Sequence, residues 1–365
     1  MRQPMMRISR TLCSAAVAWT VFASGCRTPD APPTIETPPA AVPGDAPAIA
    51  LALGRGINLG NILEATNEGA WGLRLTDDLF DAAKTAGAST VRLPVRFSNH
   101  ALAQRPYTLD ENFLVRIDYA IDAALARGMR IVLDMHHHRQ LDGDALDAGE
   151  LAVAPAILEE RFIAIWRQLA VRYRMRPESV LFELYNEPHG NFTAARWNSL
   201  LSRTIAAIRE VETTRYLVVG PVGWNTAGEL ASLVLPATDR RIVVTIHSYE
   251  PFDFTHQGAD WAGLGNSPTT TCCTAAQVAR MVAPLDVARR WSDQWQRPVW
   301  VGEWGSYERA PYDSRVTFSR AKRDAMKARG FTWAYWQLAA AFGIYQLGTE
   351  LAGGVAGCAV SLGRT

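Results

Sequence analysis

Eight short apolar runs, separated by segments with helical spacing, constrain this chain more than any other feature. The runs are Arg55–Asn61, Thr90–Val95, Arg130–His136, Val180–Glu187, Arg215–Gly220, Arg241–His247, Val299–Glu303 and Thr332–Trp336. Strands of a parallel sheet buried on both faces read as continuous apolar runs of this kind. Between them, Asp110–Arg127 places Phe113, Ile117, Ile121 and Leu125 four apart. Pro155–Arg172 carries Phe162, Trp166 and Leu169, and Trp197–Val211 carries Leu201, Ile205 and Ile208. Each set lies on one face of a helix. Gly87, Gly128 and Gly330 stand after a helical segment and before a run, where helix stops fall. Eight strand–helix units with short returns predict one closed, parallel (β/α)₈ barrel of the α/β class. No short-period repeat and no second domain is visible.

The ends of the chain read differently. Arg2, Arg7 and Arg10 precede a short apolar stretch, Thr11 to Ala23, and Ala23-Ser-Gly-Cys26 follows. This predicts a lipoprotein-type signal over 1–25, with Cys26 as the lipid-modified first residue; an ordinary secretory signal is the alternative. Both predict export. Residues 26–48 are rich in Pro and Ala and predict an extended tether, leaving 49–365 for the barrel. At the other end, Leu351, Val355, Cys358 and Leu362 keep helical spacing, but Gly353, Gly354 and Gly357 each cost about 1 kcal/mol of helix propensity against Ala. A marginal closing helix is expected.

Composition excludes some functions. Net charge is +1, without a basic block, so nucleic acid is not expected as a partner. A monomer is expected. Twelve Trp is a high count, concentrated in loops and at run ends. Of five cysteines, Cys13 leaves with the signal and Cys26 takes the lipid, so Cys272, Cys273 and Cys358 remain. A disulfide from Cys272 or Cys273 to Cys358 is expected, because a bond between adjacent cysteines is strained. No His or Cys pair has zinc-site spacing in a fitting context, so no metal is assigned, and no cofactor either.

The polar residues at the run ends carry the chemistry. Glu187 and Glu303 each close an apolar run, where an α/β barrel places its reacting groups. Two acids so placed suit acid/base work on a glycosidic bond. Pro188 is expected to hold Glu187 extended. Arg92, deep in its run, needs a carboxylate partner; the expected role is to keep a nucleophile ionised. Of His136, His137 and His138, two are expected to reach the cleft, since side chains alternate along a strand. Asn186 offers an amide to a sugar hydroxyl. His247 and Tyr249 can set protonation and orientation, and Trp336 can stack on a pyranose ring.

In this order the motifs resemble glycoside hydrolase family 5, within the cellulase and mannanase clan of TIM barrels. The carrying segments are Gly54-Arg-Gly-Ile-Asn-Leu-Gly-Asn61, Val91-Arg-Leu-Pro94, Asn186-Glu-Pro-His-Gly190, Thr245-Ile-His-Ser-Tyr249 and Val301-Gly-Glu-Trp304, joined by Phe254–Trp261 and Phe342–Tyr345. The branch resembled holds endoglucanases that also cleave mannan. The resemblance implies a retaining endo-β-1,4-glucanase with Glu187 as acid/base and Glu303 as nucleophile. Arg92, His136, Asn186, His247, Tyr249 and Trp336 match supporting positions; Asn61, Glu64, His137, His256 and Trp261 match sugar-contacting ones. The implied partner is a β-linked glucan or mannan. A β-mannanase or dual-specificity enzyme is the near alternative, and a non-catalytic carbohydrate-binding lipoprotein the remote one. The chain departs from the branch at Gln337-Leu-Ala-Ala-Ala341, where a Glu is usual, at Thr269-Thr-Thr-Cys-Cys273, and after Tyr345.

Overall fold

The computed structural model describes residues 45–345. Eight strands close a parallel barrel in sequence order: β1 (Arg55–Asn58), β2 (Thr90–Val95), β3 (Arg130–Met135), β4 (Val180–Glu183), β5 (Leu217–Val219), β6 (Ile242–His247), β7 (Val299–Glu303) and β8 (Thr332–Tyr335). β1 pairs with both β2 and β8, which completes the ring. Several runs end earlier as strands than their apolar character suggested. Residues just past the ends still bond to a neighbour on one side, as His136 N–H does to Val95 O (2.8 Å) and Asn186 N–H to Met135 O (3.0 Å). The chain there leaves the ladder and turns into the cleft.

The long helices are α1 (Ala46–Leu53), α2 (Asp77–Thr85), α3 (Glu111–Ala126), α4 (Leu158–Tyr173), α5 (Ala194–Arg209), α6 (Ala275–Trp295) and α7 (Tyr312–Lys327). Helices α2 to α7 lay their apolar faces on the outer face of the sheet, around side chains such as Ile117, Trp166, Leu201 and Phe318. Gly87, Gly128 and Gly330 all adopt positive φ at the helix exits, a conformation that costs glycine nothing. One expected unit is not built this way. Between β5 and β6 the chain makes a short turn at Val222–Asn225 and a 3-10 turn at Ala227–Ser232 instead of a long helix. Gly223, Trp224 and Asn225 all take positive φ there, so a helix cannot propagate. The expected closing helix, the signal, Cys26 and Cys358 lie outside the described residues.

The domain begins earlier than the expected residue 49. Asp45 caps α1 by accepting from Ala48 N–H (2.9 Å). Ala46, Ala50 and Leu53 pack on Val132, Leu181, Val218, Val243, Trp300 and Ala334, the inward residues of six strands. Carbonyls of α1 accept from Thr332 Oγ1 (2.6 Å), Arg130 Nη1 (2.8 Å) and Thr90 Oγ1 (2.7 Å), all at strand starts. α1 therefore stoppers the N-terminal mouth of the barrel. The Pro/Ala composition of this stretch concealed a helix, because Pro47 falls in its first turn, where proline is tolerated.

The expected cysteine pairing is also corrected. Cys272 bonds Cys273, their Cα atoms 3.0 Å apart across a cis peptide. That closeness brings the two sulfurs within bonding reach.

Leu53 is fully buried, and its truncation leaves a void under the barrel. Leu53→Ala should lower unfolding stability by about 2–4 kcal/mol. Urea titration followed by tryptophan fluorescence checks this; a loss under about 1 kcal/mol would show that α1 does not seal the barrel.

Candidate active site

The site is built around one guanidinium. Arg92 points inward from β2 and is completely buried. Its Nε and Nη2 grip both oxygens of Glu183 (2.7 and 2.9 Å). Nη1 donates to Asn58 Oδ1 (3.0 Å) and Glu303 Oε1 (2.6 Å). Nη2 also donates to Asn186 Oδ1 (2.9 Å) and lies 3.0 Å from Asp134 Oδ2. Arg92 thus faces three carboxylates from three other strands. The sequence reading foresaw a carboxylate partner but missed Asn58, Asp134 and Glu183. The signal was present: an acid inside Ile-Val-Leu-Asp-Met and another inside Val-Leu-Phe-Glu-Leu has no solvent to face.

Glu303 reaches this centre through a bulge. Along β7, Trp300 points into the barrel and Val301 outward, so strict alternation would turn Glu303 outward with Val301. The pairing slips here: Ile246 opposes Val301, but His247 opposes Glu303. Gly302 is the extra residue, and the bulge re-aims Glu303 inward. A Cβ at Gly302 would collide with Thr245 Oγ1. Glu303 Oε2 then accepts from Tyr249 OH (2.8 Å).

Glu187 arrives differently from the expectation. β4 ends at Glu183, and Glu187 sits in the following loop at φ +49. Pro188 does not hold it extended; the left-handed turn prevails, at a cost of about 1–2 kcal/mol for a non-glycine residue. The turn aims Oε1 at His247 Nδ1 (2.6 Å), and that nitrogen is 3.6 Å from Glu303 Oε2. Carboxyl oxygens of Glu187 and Glu303 lie within 4.8 Å of each other.

Asn186 has its amide oriented from both ends. Its oxygen accepts from Arg92, and its nitrogen lies 3.3 Å from His136 Nε2. His136 Nδ1 is 2.7 Å from Asp134 Oδ2. A neutral His136 with hydrogen on Nδ1 fits both contacts, donating to Asp134 and accepting from Asn186. Burial, aided by Arg92, holds His136 well below the ordinary histidine range. Its ring lies parallel to Trp336 at 5.7 Å.

Of the three consecutive histidines, His136 and His137 pack edge to face at 4.4 Å, and His137 also meets the exposed Trp71. His138 turns away, buried against Phe162. His256 stacks on Phe252 and meets Tyr249 edge to face at 4.9 Å. Trp261 is 65% exposed and leans on Tyr307. Glu64 is buried within the β1–α2 loop, where its oxygens accept from the Asn61 and Ile62 backbone. It shapes the Asn61 turn, which has φ +65. Gln337, where the sequence departs from expectation, donates to Asn61 Oδ1 (2.9 Å). The unusual segment at Thr269–Cys273 is tied to the aromatic loop through Gln257, which accepts from Thr270 N–H (2.9 Å) and donates to Thr270 O (3.2 Å).

Burial pushes both Glu187 and Glu303 up to about 7. Arg92 and Tyr249 pull Glu303 the other way, as expected, but burial outweighs them. The two carboxyls titrate as a pair. Glu303 has a cation on one oxygen and a hydroxyl on the other, contacts that favour its ionised form, whereas the side-chain hydrogen bond of Glu187 goes to His247. Burial holds His247 down at about 4, so it is neutral near pH 7. Among the described residues, Glu187, His247 and Glu303 form one cluster with metal-ligand spacing, and Asp142, Asp144 and His189 another. In the first, Arg92 already supplies the positive charge beside Glu303.

Residues 55–342 match the family model for cellulases of glycosyl hydrolase family 5. The chain belongs to glycoside hydrolase family 5. It is 34% identical to endoglucanase H of Acetivibrio thermocellus, across 82% of this chain and 31% of that protein, so it spans about a third of that relative's length. Endoglucanase A of Paenibacillus barcinonensis is 26% identical over 79% of this chain and 81% of its own length. Thermotoga maritima Cel5A, solved with mannotriose and with cellobiose, is 37% identical in both structures. The TM-scores are 0.78 and 0.79; the matches cover 82% and 84% of this chain and 95% and 96% of those chains. This family 5 chain is a glycoside hydrolase on a (β/α)₈ barrel.

Arg92→Met strands three buried carboxyls and should cost about 3–5 kcal/mol. Burial already raises Asp134, Glu183 and Glu303 in the fold. Carboxyls so raised favour folding below about pH 4 and give up that contribution as pH climbs through their raised values, about 7 for Asp134 and Glu303. Without the guanidinium they rise further, so the deficit should be larger at pH 8 than at pH 5. Urea unfolding at both values tests this, and equal deficits would rule out Arg92 as their compensating charge.

Proposed function

We propose that the protein is a retaining endo-β-1,4-glucanase. The asymmetry of the two carboxyls carries this reading: Glu303 is held by Arg92 and Tyr249, while Glu187 meets only a neutral imidazole and has four times the side-chain exposure, 24% against 6%. An ionised, tightly held carboxylate suits a nucleophile. A protonated, more open carboxyl suits an acid that must meet a leaving oxygen and later a water. Their spacing, within 4.8 Å, fits the about 5–5.5 Å of retaining enzymes rather than the about 6.5–9.5 Å of inverting ones.

In the first step Glu303 bonds the anomeric carbon while the glycosidic C–O bond breaks, and Glu187 gives its proton to the departing oxygen. In the second, Glu187 takes a proton from water, whose oxygen displaces Glu303 from the anomeric carbon. Asn186, with one amide hydrogen left over from His136, is oriented toward a 2-hydroxyl, a bond that strengthens as the oxocarbenium-like transition state forms. Trp336, backed by His136, supplies a face for a pyranose ring. Asn61, His137, His256 and Trp261 supply further sugar contacts. Mannan is the second candidate substrate, supported by the Cel5A relative having been solved with mannotriose as well as cellobiose.

Wild-type protein should hydrolyse carboxymethylcellulose, and the side-by-side rate on glucomannan sets its preference; Glu303→Gln should hydrolyse neither. Proton NMR of early cellopentaose products should show the β-anomer first. An α-anomer burst would overturn the retaining mechanism, and retained binding without hydrolysis of any β-glycan would favour a carbohydrate-binding protein.

The pH profile follows from the pair. Glu187 must be protonated to act as acid, so kcat/KM should fall above about pH 7. On an aryl cellobioside whose leaving group needs no proton, Glu187→Gln should lose that alkaline limb, and its persistence would assign the limb to another group.

A further inference from the structure

Glu187 sits in a left-handed turn followed by a proline, so neither a strand ladder nor Pro188 N–H can hold it. Two residues outside the set described above take up its peptide groups. Glu187 O accepts from His189 Nδ1 at 2.6 Å. Asn225, fully buried in the β5–β6 loop, has the amide orientation that satisfies both its ends when it donates to Pro221 O (2.9 Å) and accepts from Glu187 N–H (3.3 Å). We propose that His189 and Asn225 are positioning residues that clamp the Glu187 backbone from both sides and so place its carboxyl for proton transfer. The proposal rests on the acid/base reading of Glu187.

Each arm of the clamp is itself anchored. His189 Nε2 faces Asp144 Oδ2 at 3.2 Å, and its Nδ1 is 3.7 Å from Asp142 Oδ1. Asp142 is fixed by Tyr185 OH (2.5 Å). Trp224 covers the imidazole face, stacked at 4.9 Å. An imidazolium donates from both nitrogens at once, and this ring has an acceptor at each. The two aspartates raise His189 above the ordinary histidine value. Asn225 acts at a second point. The amide oxygen that accepts from Glu187 N–H also lies 3.4 Å from His247 Nε2. With hydrogen on that nitrogen, the neutral His247 presents a bare Nδ1 to Glu187 Oε1, and the proton between them resides on Glu187. Trp224 adjoins Asn225 in sequence, so one short loop steadies both arms.

The test separates positioning of the acid from general damage. 2,4-Dinitrophenyl β-cellobioside leaves as a phenolate without needing a proton, whereas cellotetraose needs one. His189→Ala and Asn225→Ala should lose about 10–100-fold in kcat/KM on cellotetraose. On the aryl glycoside they should release a burst of dinitrophenolate equal to the folded enzyme, at a rate within about threefold of wild type. The glycosyl–Glu303 ester then accumulates. Azide should restore turnover by bonding the anomeric carbon and displacing Glu303 without a base, giving the β-azide. Equal losses on both substrates, or no rescue by azide with a full burst, would overturn the clamp. Glu187→Ala is the reference: if it lacks this leaving-group dependence, the acid/base assignment falls instead. The burst counts folded sites, and either variant suffices should the other fail to fold.

Discussion

The barrel's polar interior depends on one buried cation. Arg92 meets Asp134, Glu183 and Glu303, and each carboxylate comes from a different strand. No member of this group would be tolerated alone, since an unpaired buried charge costs several kcal/mol. Together they fix the relative heights of β2, β3, β4 and β7 at the mouth of the cleft. Asn186 and His136 hang from the same network, so the orientation of the Asn186 amide traces back to the guanidinium. Neutral side chains of the same volume could pack here as stably, so the ionic solution implies a demand for oriented donors and acceptors.

Much of the fold was legible from periodicity. Apolar runs and one-faced helices marked all eight strands and helices α3, α4 and α5, because burial on both faces leaves a strong signature. The weak points were places where local chemistry competes with pattern. Proline in α1 read as tether, although a first-turn proline costs a helix little. The β5–β6 segment holds three consecutive left-handed residues, and no spacing rule announces those.

The site was legible in its two cleft carboxyls and less so in their supports. Glu187 and Glu303 stood out as acids after apolar runs, but the route each takes into the cleft was hidden. Glu303 depends on the extra residue Gly302, which alternation alone would have misdirected. Glu187 depends on a backbone twist that the following proline argues against. Glu183 escaped notice because the apolar run was carried past it to Glu187, so a structural acid lay inside what looked like one strand. The pairing of Cys272 with its neighbour ran against the expectation that adjacent cysteines do not bond each other.

Helix α1 separates two tasks along the barrel axis. It stoppers the barrel at the strand starts, while Glu303 ends β7 and Glu187 follows β4 at the opposite mouth. The described residues therefore begin at the mouth opposite the cleft. The packing that closes the barrel shares no side chain with the groups that face the cleft, so fold and site draw on opposite ends of the same strands.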